Sequence, residues 1–297
     1  MSDAPFDPRH GEAVPVAEGV VRVTAPNAGP FTGAGTNSYI LGEREVMVLD
    51  PGPASEAHRE ALLRAIAGRT VSHILVTHTH RDHVDGLAAL RAVVGGITVG
   101  EGPYRNARSL QAGEENPFLY ASDLEFTPEL TVGDNDEVAN ADVTVRVIAT
   151  PGHTANHVAF ALGETCFSGD HVMGWSTTVV APPDGSMSAY LASLDRLLEE
   201  RHARYLPGHG GWIDDPRKAV SAMKSHRLMR ERAILERLGA GDTAIPAVVE
   251  ALYSGLDPRL KGAAELSVLA HLEKLEADGA VVAEGFGRTA RWRPARL

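Results

Sequence analysis

"THTHRDH", residues 77–83, sets three histidines and an aspartate within seven positions, directly after the apolar run "HILV" at 73–76. The cluster follows neither a helical nor a two-residue apolar period, so core packing does not account for it. With 13 histidines and 17 aspartates among 297 residues, the pattern HxHxDH arises by composition alone in roughly one such chain per thousand. A single histidine is usually a core or surface residue, but this grouping is the residue chemistry of a metal site. "HILVT" (73–77) reads as a buried strand, so His78 follows a strand end, where an extended turn aims His78 and His80 to one side and lets both grip one ion. Asp82 and His83 open an expected helix over 83–93. Adjacent helical positions diverge by about 100°, which suits a second ion beside the first.

Short β-rich runs at 38–42, 45–50, 143–150, 157–162 and 164–168 alternate with helical stretches at 55–68 and 187–202, an α/β pattern. A metal needs more ligands than residues 78–83 supply, and three further candidates share one setting. His153, in "ATPGHTANH", follows the strand at 143–150; Asp170, in "CFSGDH", follows the strand at 164–168; His209, in "YLPGHG", follows a short apolar run. Each has small or turn-forming neighbours, which let the backbone approach a central site closely.

The C-terminal part has a different texture. Pro and Gly mark a boundary near 211–216, and helices over 217–238, 244–253 and 261–277 precede the hairpin-like "AVVAEGFGRTARWRPARL". Helices followed by a hairpin suggest a winged-helix module. The expected division is 1–215 and 216–297. Charge follows it: the net charge is −11, yet residues 217–297 hold 14 Lys and Arg against 10 Asp and Glu (+4), and the first 216 residues hold 14 against 29 (−15). Residues 101–142, rich in Gly, Asn, Asp and Glu, read as an insertion over the site.

Composition excludes other classes. Hydrophobic residues make up 43% and charged residues 23%, so neither disorder nor a collagen-like repeat is in view. No apolar run approaches the roughly 18 residues of a membrane span, and Asp3 and Asp7 stand where a signal peptide carries positive charge. A soluble, cytoplasmic protein with no membrane partner is expected. The single cysteine, Cys166, rules out an internal disulfide and reads as a buried strand residue.

The order HxHxDH, then His, Asp and His, resembles the metallo-β-lactamase superfamily over residues 17–215. The resemblance implies an αββα sandwich with one ion held by His78, His80 and His153, the other by Asp82, His83 and His209, and Asp170 bridging them. In that family an acidic residue in a strand-end "LDPG" segment supports the first histidine motif, and Asp50 occupies the matching position. Such a carboxylate fixes a histidine tautomer and raises its basicity. His157 and His171 lie close in sequence to ligands and are candidates for substrate contact or for hydrogen-bonded support. "APNAGPFTGAGTNSYILG", "SGDHVMGWSTTVVAPPDGSMSAYLASLDRL" and the C-terminal module are most similar to the beta-lactamase-like protein 2 subgroup, whose best-described members cleave single-stranded RNA.

Two adjacent cations lower the pKa of a shared water toward neutrality, so the expected chemistry is hydrolysis by a metal-bridging hydroxide. Asp170 is expected to bridge and orient that water, and Asp82 to act first as a ligand, with proton acceptance as its second role. Two zinc ions are expected, although His and carboxylate sites also accept iron or manganese. The expected substrate is a small ester, thioester or amide, with weak β-lactam turnover, because the catalytic part carries −15 and polyanion binding rests on Lys and Arg contacts. Two alternatives stand: an endoribonuclease drawing on Arg288, Arg291, Arg293 and Arg296, and a glyoxalase II-like thioesterase. The C-terminal module otherwise serves as a lid or a homodimer contact. "GAGTN" (33–37) and "STT" (176–178) offer small groups for a pocket wall or for turns.

Overall fold

In the computed structural model residues 6–295 are described; Asp3 and Arg296 lie outside the described residues. Seven strands form one sheet in chain order: β1 (Val14–Ala17), β2 (Val20–Thr24), β3 (Asn37–Leu41), β4 (Glu45–Leu49), β5 (Thr70–Leu75), β6 (Ile97–Gly100) and β7 (Leu130–Thr131). The first four pair antiparallel, and β4 through β7 run parallel. A second sheet is built from β8 (Glu137–Ala139), β9 (Thr144–Ala149), β10 (Val158–Leu162), β11 (Thr165–Gly169) and β12 (Arg204–Pro207), in the order β12-β11-β10-β9-β8.

Alternation decides the layers, because successive strand side chains face opposite sides. Tyr39, Leu41, Met47, Leu49, Leu75 and Val99 of the first sheet meet Val145, Val147, Val158, Phe160, Phe167 and Leu206 of the second, all nearly inaccessible to solvent. Each such side chain stabilises the fold by roughly 1.5–3 kcal/mol on full burial. The alternate residues Ile40, Val46, Val48 and Ile74 pack outward against Ala61, Leu62 and Ile66 of α1 (Glu56–Ile66) and Leu90. On the far side, Ile148, Ala159 and Cys166 pack against Tyr190, Leu191 and Leu194 of α4 (Met187–Glu199). The result is a four-layer αββα sandwich.

The helices begin where polar caps place them. The Ser55 hydroxyl accepts the His58 amide at 3.3 Å and the Ser186 hydroxyl accepts that of Ala189 at 3.3 Å, satisfying amides a helix start leaves free. The expected helix over 83–93 is instead two pieces, α2 (Arg81–Val84) and α3 (Leu87–Val94). The break falls at Gly86, which donates to Gly52 O at 2.8 Å, and whose absent Cβ would lie 2.7 Å from Pro51 O. Only glycine lets the chain press against the "DPGP" turn there. The expected insertion over 101–142 is likewise shorter. Residues 101–129 cross the site, but Leu130 and Thr131 pair with Val99 and Gly100, and Glu137–Ala139 pair with β9.

Beyond "GHGGW", Asp215 caps α5 (Pro216–Gly239), accepting the Lys218 amide at 3.0 Å, with Pro216 in the first turn. Val220 and Met223, early in α5, pack into the helical layer over the second sheet. Ile234 and Leu238, late in it, join α6 (Ile245–Leu252), α7 (Lys261–Ala277) and Trp292 in a second core. The hairpin β13 (Val281–Glu284) and β14 (Arg291–Pro294) closes this module. One long helix is therefore shared by both cores. No helix among the described residues is long and apolar enough to cross a membrane.

Candidate metal centre

All seven donor residues converge at one end of the sandwich, each just past a strand end. His78, His80, Asp82 and His83 follow β5; His153 follows β9; Asp170 follows β11; His209 follows β12. Nε2 of His78 and Nε2 of His153 each lie 3.0 Å from Nδ1 of His80. Beside them, Nε2 of His209 lies 3.3 Å from Nε2 of His83 and 3.2 Å from an Asp82 oxygen. The Asp170 carboxylate stands between the groups, 3.4 Å from His83 Nε2, 3.3 Å from His209 Nε2 and 3.8 Å from His153 Nε2.

Backbone and side-chain acceptors fix four of the rings. Nδ1 of His153 donates to Val179 O at 2.7 Å, Nδ1 of His209 to Gly35 O at 3.1 Å, and Nδ1 of His83 to the Asp50 carboxylate at 2.8 Å. The Thr77 hydroxyl donates to Asp50 at 2.8 Å, so its oxygen is free to accept from His78 Nδ1 at 3.0 Å. A neutral imidazole that donates through one nitrogen offers a lone pair at the other. In their neutral forms all four rings therefore point a lone pair inward, and one oxygen of buried Asp170 has no hydrogen-bond partner. Nitrogen lone pairs 3 Å apart repel unless a cation lies among them. The donor atoms of His78, His80 and His153, of His78, His83 and Asp170, and of Asp82, His83 and His209 each fall within 4.8 Å of one another, so the set fits divalent cations of tetrahedral or five-coordinate habit.

The two groups differ electrostatically. Burial, reinforced by neighbouring imidazoles, holds His78 well below the ordinary range and His80 down to about 3. Burial lowers His153 as well. Burial also works against charge on His83 and His209, but Asp170 and Asp82 outweigh it, holding His83 well above the ordinary range and pushing His209 up to about 10. Opposing burial, His83 and His209 keep both carboxylates low. Carboxylates that would otherwise attract protons onto the rings are the ones a bound cation would neutralise.

Asp50 accepts both the amide and the hydroxyl of Thr77 at 2.8 Å and supports His83 directly. Its backbone is left-handed, with φ 49°, a conformation aspartate tolerates better than most side chains. His157 does not face the cleft: Nδ1 bonds the Thr150 hydroxyl at 2.8 Å, and Nε2 accepts the backbone N–H of Asp170 at 3.1 Å. His171 is buried against the Tyr190 ring, centroids 4.5 Å apart, and also lies off the cleft. His157 therefore bears on Asp170 from behind. Gly208 admits the donors: a Cβ there would lie 2.6 Å from Asp170 Oδ1 and 2.7 Å from His83 Cε1.

Several groups near the centre carry no sequence signature. The Thr36 hydroxyl, within "GAGTN", donates to Asp82 at 3.0 Å. The Thr178 hydroxyl, within "STT", donates to Asp170 O at 2.5 Å. The carbonyls of Gly35 and Val179 belong to every residue type alike. The cleft, about 150 Å³, is walled by Phe31, Phe118, Tyr120, Met173, Val179 and Ala181 around the donors. Cys166 is a buried strand residue whose thiol burial pushes up.

Residues 31–209 match the profile of the metallo-beta-lactamase superfamily, and residues 244–292 that of the beta-lactamase associated winged helix domain. The chain is 32% identical over 285 residues to a beta-lactamase-like protein 2 homolog of Caenorhabditis elegans, covering 93% of this chain and 90% of that one. It is 26% identical over 286 residues to a protein of Pseudocercospora fijiensis named atrochrysone carboxyl ACP thioesterase, covering 92% of this chain and 79% of that one. A solved metallo-beta-lactamase family protein of Thermus thermophilus superposes with a TM-score of 0.75 at 25% identity, over 94% of this chain and 100% of that one. The profile spans every donor of the centre, and the chain belongs to the metallo-beta-lactamase superfamily of hydrolases, with the winged helix domain associated with it at its C-terminus.

Proposed function

We propose that the protein is a dinuclear zinc hydrolase that cleaves a small ester, thioester or amide. The convergence of seven donors, four of them with tautomers set by outer hydrogen bonds, carries this reading. His78, His80 and His153 would hold one ion and Asp82, His83 and His209 the other, with Asp170 shared. Bound there, the ions supply Lewis acidity and water ionised near neutral pH. Asp170, fixed through its backbone by His157 and Thr178, keeps its carboxylate between the two groups. Asp82, the more open carboxylate at 27% side-chain exposure, is placed on the cleft wall to take the released proton.

The wall supports an apolar acyl substrate. Phe31, Phe118, Tyr120 and Met173 line it, and no lysine or arginine does so among the described residues. The arginines of the C-terminal hairpin face other partners: Arg288 lies 3.4 Å from Glu265, Arg293 3.8 Å from Glu284, and Arg291 3.2 Å from the Thr243 hydroxyl. The relative named as a thioesterase points the same way. One observation favours an endoribonuclease instead: Phe118 and Tyr120 stack at 5.9 Å, with Tyr120 71% exposed, a platform on which an RNA base could stack.

One zinc-loaded preparation, assayed against acyl thioesters, esters, lactams and labelled single-stranded RNA with His80→Ala alongside, decides between them. Thioester or ester turnover lost in His80→Ala is expected. RNA cleavage abolished by the same substitution, without acyl turnover, would overturn the proposal.

A further inference from the structure

Arg227 lies on α5 and is only 4% exposed, yet no carboxylate comes within 4 Å of it among the described residues. A buried guanidinium is normally paired. This one donates to the carbonyl of Thr178 and, at 3.4 Å, to the hydroxyl of Ser267 on α7, and its carbon stands 5.3 Å from the centre of the Tyr190 ring. All three contacts are neutral, so position rather than charge neutralisation is what they share.

The position matters because of what flanks Thr178. Its hydroxyl donates to Asp170 O at 2.5 Å, with His171 O 3.1 Å away, and the Tyr190 hydroxyl donates to His171 O at 3.1 Å. The next carbonyl, Val179 O, accepts Nδ1 of His153 at 2.7 Å. The Thr178 carbonyl turns to Arg227 and the C-terminal module, and that of Val179 turns to the metal centre. Ala181, three residues on, is buried in the core of the C-terminal module and also lines the cleft. Residues 178–179 thus bond the His153 ring and the Asp170 backbone on one side and are tied to α5 on the other.

We infer that Arg227 is a positioning residue through which the C-terminal domain holds the 178–179 segment, and with it His153 and Asp170, in register for metal binding. The inference rests on the metal-centre reading above. Loss of the guanidinium frees the Thr178 carbonyl, lets the segment shift, and loosens both donors together, and Val179, which also lines the cleft, shifts with them.

The test uses the full chain as wild type, Arg227→Lys and Arg227→Met, with Arg230→Met on the same helix as control. Cobalt(II) is titrated into apoprotein, its affinity and visible spectrum are recorded, and kcat and KM are measured on whichever substrate the wild type turns over. Arg227→Met should bind cobalt about ten- to hundredfold more weakly with a changed spectrum, and kcat/KM should fall with the affinity. Arg227→Lys, which keeps one donor for the Thr178 carbonyl, should fall between. If Arg227→Met does not fold, Arg227→Lys decides alone. Unchanged cobalt affinity and spectrum in the variants, with only a lower melting temperature, would overturn the inference. Wild-type protein that bound no cobalt would overturn it together with the metal-centre reading, which separates the two failures.

Discussion

The carboxylate of Asp50 lies 2.8 Å from Nδ1 of His83, the ring nitrogen turned away from the donor cluster, while Nε2 of the same ring faces His209 and Asp170. One strand-end aspartate therefore joins the end of β4 to the turn after β5 and sets how a donor ring presents itself. In Asp50→Asn the shape is kept and the charge is lost, and an amide N–H can meet the imidazole N–H. Zinc affinity, read by competition with a chromophoric chelator, should drop about ten- to hundredfold with the fold retained. An unchanged affinity would show that the pair only packs.

Chelation should both silence and soften the protein. Binding to the native state alone stabilises it by about 2.7 kcal/mol when the ion is at about a hundred times its Kd, which for a chain of this size is a melting shift of about 4 °C. Differential scanning calorimetry before and after dialysis against EDTA, and again after zinc is restored, measures it. Reversible loss of activity with that shift is expected; full activity after exhaustive chelation would refute the metal centre.

Gly208→Ala tests whether backbone proximity at the centre is obligatory. Its Cβ would enter within 2.6 Å of Asp170 Oδ1, so metal content by elemental analysis should fall and activity with it. Gly262→Ala at the start of α7, where a Cβ meets nothing within 4 Å, serves as control and should leave both intact, with stability raised by about 0.5–1 kcal/mol. Equal metal content in the two variants would show that the site can yield.

His58, buried on α1 with Nε2 2.8 Å from the Ser38 hydroxyl, is held by burial down to about 4 from the ordinary 6.5. The unfolded chain takes up a proton below about 6.5 and the folded one does not. Its neutral form thus contributes fully above that pH, and the contribution is lost as pH falls from 6.5 toward 4. The loss is on the order of 3 kcal/mol. Denaturant unfolding of metal-free wild type and His58→Gln at about pH 7 and about pH 4.5 should show a smaller acid loss in the variant, since glutamine stays neutral. Identical losses would refute it.

The donors are legible because each announces itself twice, by residue type and by its place just past a β-rich run. Histidine and aspartate are uncommon enough that "THTHRDH" stands out, and His153, Asp170 and His209 each sit among turn-forming neighbours. The helix after His83 reads as continuous because Gly86 has no side-chain pattern to betray the pressure of the "DPGP" turn against it. Residues 130–139 read as loop because two- and three-residue edge strands are held by backbone pairing with β6 and β9, which composition does not encode.

By itself the sequence determined the α/β alternation, the candidate donors and the change of character near residue 216, because hydrophobic periodicity, metal-ligating chemistry and net charge are properties of residue type and spacing. Only the tertiary structure decided that His157 supports Asp170 from behind, that His171 stays off the cleft, that Thr36 and the Gly35 and Val179 carbonyls hold the candidate donors, and that Arg227 on α5 meets the Thr178 carbonyl. Those relations join residues up to 174 positions apart, as between Gly35 and His209, and many run through backbone atoms that every residue shares. They exist only once the two sheets have packed and carried their strand ends to the same edge.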